Sequence, residues 1–101
     1  MAILGVHHHP SLTQERYEEV VRRLTGKERI EGPSDLPFKG LIAHAAGQGK
    51  DGFWVIDIFE SEEAIEGFRE ALGTIPRDVG IEAPPEFMPM HTFYSEPARL
   101  T

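Results

Sequence analysis

Cysteine is absent from this chain of 101 residues. Without thiols the protein forms no disulfide, offers no thiolate ligand to a metal ion and has no cysteine nucleophile. Positive charge is also scarce, because 10 lysines and arginines stand against 17 aspartates and glutamates, which gives a formal net charge of −7 at pH 7. That charge opposes attraction to phosphate backbones, and no cluster of basic and aromatic residues offsets it. We therefore expect no nucleic-acid partner.

Long apolar runs are missing as well. No stretch approaches the roughly 20 residues that cross a bilayer, and the first residues lack the basic start of a signal peptide. We expect a cytoplasmic protein with no membrane partner. A phosphate-binding fingerprint is also absent, since Gly47-Gln48-Gly49 lies between two predicted strands and opens no helix. We predict no cofactor.

The hydrophobic pattern alternates between strand-like and helix-like segments. Tyr17, Val20, Val21 and Leu24 recur at helical spacing after Thr13, a favoured N-cap residue. The predicted elements are strands over 2–9, 41–46, 53–59 and 86–94, a helix over 11–26, a helix capped by Ser61 and a short turn over 75–79. This β-α-β-β-α-β order is the ferredoxin-like arrangement. We predict one α+β domain over residues 1–101, with a four-stranded antiparallel sheet and both helices on one face.

The third predicted strand, residues 53–59, is apolar at nearly every position. Such a strand is usually covered on both faces of its sheet. The two helices of the chain cover one face only, so another molecule must cover the second face. We therefore predict a homodimer that closes over the open face of the sheet.

The junction between the third strand and the second helix is Phe59-Glu60-Ser61-Glu62-Glu63-Ala64, with Phe68 four residues beyond Ala64. This run resembles the W-E-S-x-E-A-x-x-x-F junction of the antibiotic-biosynthesis-monooxygenase-like, dimeric α/β-barrel superfamily. The histidines His7, His44 and His91, at or near strand ends, are also similar to it. The resemblance implies a dimer whose two sheets close into a barrel.

The resemblance implies a range of activities, because the superfamily includes oxygenases, haem-degrading enzymes, polyketide cyclases and members without known chemistry. The residues present argue against two of these activities. Haem-degrading members have a tryptophan at the position of Phe59, and cyclase members have a histidine within or after the second helix, where this chain has none from 61 to 85.

A hairpin that is symmetric about its loop would pair His44 with Val55 and Ile42 with Asp57. On that register His44 and Asp57 share one face of the sheet, which we predict to be the open face that points into the barrel. The predicted open face carries Phe53, Val55 and Phe59 as well, and the predicted helix side carries Trp54, Ile56 and Ile58.

The predicted strand order, 4-1-3-2, brings the histidines of the first and last strands to the same cavity. The predicted catalytic residues are His44, His91 and Asp57, and the predicted substrate-binding residues are His7, Val55, Phe59, Phe87 and Phe93. An apolar pocket with a few polar groups is typical of a small-molecule site.

The available chemistry is proton transfer, because histidine titrates near neutral pH and a carboxylate fixes its tautomer. The hypothesis is that His44 or His91, oriented by Asp57, abstracts a proton from a hydrophobic aromatic or polyketide-like molecule. Cofactor-independent oxygenation or an aldol-type cyclisation would follow. The alternative is a non-catalytic dimer that binds a metabolite or whose barrel is filled by side chains.

A metal site is a further alternative, which the spacing of the residues does not support. The run His7-His8-His9 cannot form one three-ligand site, because alternate side chains of a strand point to opposite faces. The ligand types are present in His7, His9, His44, His91 and Asp57, but no H-x-E or H-E-x-x-H spacing joins them.

Overall fold

The computed structural model describes residues 2–96. Its elements, in chain order, are β1 Ile3–His7, α1 Gln14–Thr25, a 3₁₀ turn Pro33–Asp35, β2 Leu41–Gly49, β3 Gly52–Phe59, α2 Glu62–Leu72, α3 Ile75–Asp78 and β4 Glu86–Pro89. The strands form one antiparallel sheet in the order β2-β3-β1-β4. The predicted α+β class and strand order are confirmed, and the arrangement is compatible with a ferredoxin-like fold. Within the described residues, no helix has the length and apolar character needed to span a membrane.

The two long helices begin directly after the predicted capping residues, Thr13 and Ser61, so α1 starts three residues inside the predicted range of 11–26. Thr13 accepts a hydrogen bond from the backbone nitrogen of Arg16 at 3.2 Å, and Ser61 accepts one from that of Ala64 at 3.2 Å. Each bond satisfies a backbone donor that the first turn of a helix leaves unpaired. Gly26 ends α1 with a φ of 75°, a left-handed conformation that glycine adopts without a steric penalty.

The prediction of which sheet face lies open is wrong. Val55 is 7% exposed and Phe59 0%, because both lie beneath the helices, whereas Trp54 and Ile56 on the opposite face are 39% and 41% exposed. Two clusters bury the helix side: Phe59 packs with Ala64 and Ile65 of α2, and Val55 packs with Leu12, Phe53 and Ile81. Both faces of β3 are apolar, so hydrophobicity alone could not choose between them.

The predicted hairpin register is wrong by two residues. The turn consists of Lys50 and Asp51 only, so His44 pairs with Asp57 and not with Val55. A shift of two keeps every side chain on its face, because strand side chains alternate with a period of two. The prediction that His44 and Asp57 share a face with Val55 is therefore confirmed, although that face is the helix side.

The last strand is shorter than predicted. β4 ends at Pro89, which pairs with Ile3, the first residue of β1. The nitrogen of Met90 still bonds to the carbonyl of Ala2 at 3.0 Å, just before the start of β1. His91 and Phe93 lie outside the sheet, and both are exposed.

Candidate functional site

A cavity of about 870 Å³ lies between the helix side of the sheet and the elements that cover it. Its size is in the range of small-molecule pockets. Most of its lining is apolar, with Leu12, Val20, Leu24, Ile30, Leu36, Leu41, Phe68, Leu72 and Ile81 among the residues that form it. The polar groups on the strands and on α1 are His7, Tyr17, His44 and Asp57, and the other polar side chains of the lining, which are exposed, are Arg69, Thr74, Arg77 and Glu82. Apolar walls with a few convergent polar groups are the usual form of a ligand site.

Three of these polar groups form a chain of hydrogen bonds. The Nδ1 atom of His44 lies 2.5 Å from the Oδ1 atom of Asp57, and its Nε2 atom lies 2.5 Å from the hydroxyl of Tyr17. The side chains of His44 and Asp57 are only 18% and 13% exposed. We call this chain the Asp57–His44–Tyr17 relay. It connects β3, β2 and α1 across the cavity wall.

The relay has a definite direction. The carboxylate of Asp57 only accepts hydrogen bonds, so the Nδ1 atom of His44 carries the proton and donates. In a neutral imidazole the Nε2 atom then has a lone pair, which accepts the proton of the Tyr17 hydroxyl. The oxygen of Tyr17 is left with its own lone pairs as acceptors.

The hydroxyl of Tyr17 is held in its protonated form. Burial, followed by the negative charge of Asp57, raises the pKa of Tyr17 to about 12. A tyrosinate is therefore not the resting state at neutral pH. The hydrogen bond that this hydroxyl donates is directed to the Nε2 atom of His44.

His7 lies on β1, opposite Val55, and lines the same cavity. Its Nε2 atom lies 2.7 Å from the carbonyl oxygen of Ala83. Burial is the largest influence on this ring and lowers the pKa of His7, while the carbonyl of Ala83 and the charge of Asp57 act in the opposite direction. His7 is thus a neutral imidazole at neutral pH.

The structure brings some of the predicted site residues together and separates others. The cavity is lined by His7, His44, Val55, Asp57 and Phe87. Phe59 is fully buried behind the wall, where its ring lies 5.9 Å from that of Phe87, so it supports the wall without lining it.

The prediction that His91 and Phe93 border the cavity is wrong. Both are exposed beyond the end of β4, and the Nδ1 atom of His91 is hydrogen-bonded to the hydroxyl of Thr92. The cavity also lies inside one chain, under the helices, and not on the face predicted to enter a barrel.

Tyr17 is the functional candidate that sequence reasoning missed. Its helical spacing with Val20 and Val21 marked it as a core residue, and it does pack against Phe53 with ring centroids 5.1 Å apart. The hydroxyl of Tyr17 is the signal that could have identified it as a site residue, because a buried tyrosine normally pairs its O–H with a hydrogen-bond partner.

A second, more open depression of about 700 Å³ lies between the end of α1, residues 37–39 and α2. Its charged side chains, such as Arg23, Lys39 and Glu63, are exposed to solvent. Water screens such groups, so they carry little of the selectivity that buried polar groups provide. Within residues 2–96 no group of three histidine, aspartate or glutamate side chains is arranged to hold a metal ion.

Comparison with known proteins adds no relative, because no protein-family model, no curated protein and no solved structure matches the chain. The resemblance to the monooxygenase-like superfamily stays a prediction.

Proposed function

We propose that the protein binds a hydrophobic, hydroxyl-bearing aromatic molecule in the helix-side cavity and takes a proton from it through the Asp57–His44–Tyr17 relay. The observation that carries this proposal is the position of the relay. Two hydrogen bonds of 2.5 Å link a carboxylate, an imidazole and a phenol in series, and all three groups line one largely apolar cavity.

The proposed proton transfer has two coupled movements. The ligand hydroxyl gives its proton to the oxygen of Tyr17, while the proton of Tyr17 passes to the Nε2 atom of His44. Asp57 stabilises the imidazolium that results, and the ligand anion accepts a hydrogen bond from the Tyr17 hydroxyl. This coupling agrees with the raised pKa of Tyr17, because the phenol is never left as a free anion.

Cofactor-independent oxygenation is the activity that this proton transfer serves best, in keeping with the superfamily resemblance. An aromatic phenolate is rich in electrons at the carbon para to its oxygen, and it reacts there with dioxygen. One C–H and the O–H of the phenol are lost, a second carbonyl forms, and the other oxygen atom leaves as water. For 1-naphthol the overall change is naphthol plus O₂ to 1,4-naphthoquinone plus H₂O.

Metabolite binding without chemistry is the second candidate. It is favoured by the completeness of the relay, in which both ring nitrogens of His44 already have partners. A fully satisfied polar network can serve to fix one arrangement of a core. A ligand would then rest against Tyr17 without losing a proton.

The ionisation of bound 1-naphthol separates these two functions, because naphtholate absorbs at longer wavelength than naphthol. We expect naphthol bound to the wild-type protein to ionise about one pH unit lower than naphthol bound to Tyr17→Phe or His44→Gln, since one charge partner shifts a pKa by about that much. His91→Ala is the matched control, because this histidine is exposed and lies outside the cavity. Binding with the same ionisation in all four proteins would leave metabolite binding as the function.

We also propose that two copies of the chain pair through the open face of the sheet. This face is apolar and carries Trp54, Ile56 and Ile58 of β3 next to Leu4 and Val6 of β1. The cavity lies on the other face, so each chain would keep its own site.

A further inference from the structure

On the sheet, the cavity contains one polar side chain that takes no part in the relay, the imidazole of His7. In the sheet register His7 pairs with Val55, while Asp57 pairs with Gly5. His7 and Asp57 are therefore diagonal neighbours on one face, a placement that separates backbones by roughly 7–8 Å. His7 therefore lines the same cavity as the relay, on the neighbouring strand.

The tautomer of His7 is fixed by its partner. A carbonyl oxygen only accepts hydrogen bonds, so the Nε2 atom, 2.7 Å from the oxygen of Ala83, must carry the proton. Because burial disfavours the charged ring, the Nδ1 atom keeps a lone pair and can only accept. This assignment leaves no freedom for the ring to donate to a ligand through Nδ1.

The Nδ1 atom of His7 is accessible. No residue between 2 and 96 makes a hydrogen bond to it, and in that part of the chain no buried side-chain nitrogen or oxygen is without a partner. The atom is thus not sealed in the core, and the ring that carries it lines the cavity.

We propose that His7 is a specificity-determining residue that selects aromatic ligands with a second hydroxyl group, which donates to its Nδ1 atom. The inference rests on the proposed function for the first contact. In the resting relay the oxygen of Tyr17 is also an acceptor, because its proton is donated to His44. The oxygen of Tyr17 and the Nδ1 atom of His7 therefore both require donors. A diol satisfies these two atoms, whereas a diketone satisfies neither of them.

A pair of substitutions separates this role from a purely structural one. The amide nitrogen of glutamine occupies the place of the histidine Nε2 atom, so His7→Gln keeps the bond to Ala83 and removes the acceptor at Nδ1. The amide oxygen of asparagine occupies the place of Nδ1, so His7→Asn keeps an acceptor there and loses the bond to Ala83.

The experiment measures the affinities of 1-naphthol and of naphthalenediols with differently spaced hydroxyls, such as the 1,5- and 2,7-isomers, by calorimetry. We expect at least one diol to bind the wild-type protein about 2- to 10-fold more tightly than 1-naphthol, the gain of one neutral hydrogen bond. His7→Gln should lose this gain and bind 1-naphthol as before, while His7→Asn should keep part of it.

Two results would overturn the inference: no diol with an advantage over 1-naphthol, or a diol advantage that survives in His7→Gln and disappears in His7→Asn. The second result would assign His7 to holding Ala83. Failure of the proposed function is a separate outcome, in which 1-naphthol binds with the same affinity and ionisation to wild type and to Tyr17→Phe. The two tests thus use different residues and different readouts.

Discussion

At the residue scale, the tautomer of His44 determines whether the Tyr17 hydroxyl presents a lone pair or a proton to the cavity. Its Nδ1 atom faces the carboxylate of Asp57 and its Nε2 atom faces the phenol of Tyr17, each at 2.5 Å. The charge of Asp57 therefore sets the tautomer of His44, and this tautomer determines the direction of the hydrogen bond to Tyr17. Histidines without such a partner exchange tautomers, and the phenol would then present either a proton or a lone pair to the ligand.

Replacing Asp57 by asparagine tests this control of direction. The amide can turn its NH₂ group towards the Nδ1 atom of His44, which would then accept, so the proton moves to Nε2 and the Tyr17 proton is released towards the cavity. We expect the ¹⁵N chemical shifts of the His44 ring to report protonation at Nδ1 in the wild type and at Nε2 in Asp57→Asn. Bound 1-naphthol should also lose its facilitated ionisation, because no charge stabilises the imidazolium.

Asp57→Glu is the control for this change, since it keeps the charge and alters only the reach of the side chain. It should retain the wild-type tautomer. A ring protonated at the same nitrogen in wild type and in Asp57→Asn would show that the carboxylate does not set the direction of the relay.

At the scale of single residues the sequence predicted the pair and missed the third member. His44 and Asp57 could be placed on one face because alternation along a strand survives an error of two in register. Tyr17 comes from another element, and no rule of spacing predicts which strand residue a helix side chain reaches across a core. His91 was misplaced because the end of β4 depends on where β1 begins, which is a property of the pair of strands.

At the scale of elements, Gly40 sets how closely the start of β2 approaches α2. Gly40, just before β2, has a φ of 94°, and its carbonyl accepts from the nitrogen of Glu60 at 2.9 Å. A Cβ atom at this position would lie 2.5 Å from the Cβ atom of Ala64, which is too close for any side chain. The glycine therefore allows the strand to pass directly over the start of α2.

Gly40→Ala should destabilise the protein by about 2 kcal/mol or more, since a left-handed conformation costs an alanine about 1–2 kcal/mol and the contact with Ala64 adds strain. Urea denaturation followed by circular dichroism measures the free energy of unfolding. Gly47→Ala, within β2, is the matched control, because a Cβ atom there meets nothing within 4 Å. Equal stability of the two variants would contradict the close approach of β2 and α2.

β3 shows why one part of the fold was not predictable at this scale. The strands followed from the pattern of apolar segments, and their order is the usual one of the ferredoxin-like arrangement, but both faces of β3 are apolar. The choice between them depends on partners from distant parts of the chain: Leu12 and Ile81 fit against Val55, and Ala64 and Ile65 fit against Phe59. The relay also depends on which face of β3 lies under the helices, because Tyr17 of α1 can contact His44 only if His44 faces the helices.

At the scale of the whole molecule, the two faces of the sheet differ in what they carry. The helix side carries the cavity and the relay within one chain, so the proposed ligand site needs no residue from a second copy. The opposite face has no helix of the described chain over it and exposes Trp54 and Ile56, with the ring of His8 stacked on Trp54 at 3.7 Å between centroids. Contiguous apolar surface of this kind is typical of a protein–protein interface.

Ile56→Glu tests the proposed dimer, because Ile56 pairs with Val6 and Ala45 at the middle strand of this face. We expect the wild-type protein to sediment with twice the mass of the chain at micromolar concentration and Ile56→Glu to sediment as a monomer, since burying an unpaired carboxylate in an apolar interface is costly. Gln48→Glu adds the same charge at an exposed position on the helix side of β2 and should remain dimeric.

The affinity for 1-naphthol should be equal in all three proteins, because the cavity lies across the sheet from the substitution. A monomeric wild type would remove the dimer from the proposal, and a loss of ligand binding on dissociation would contradict the assignment of the cavity to a single chain.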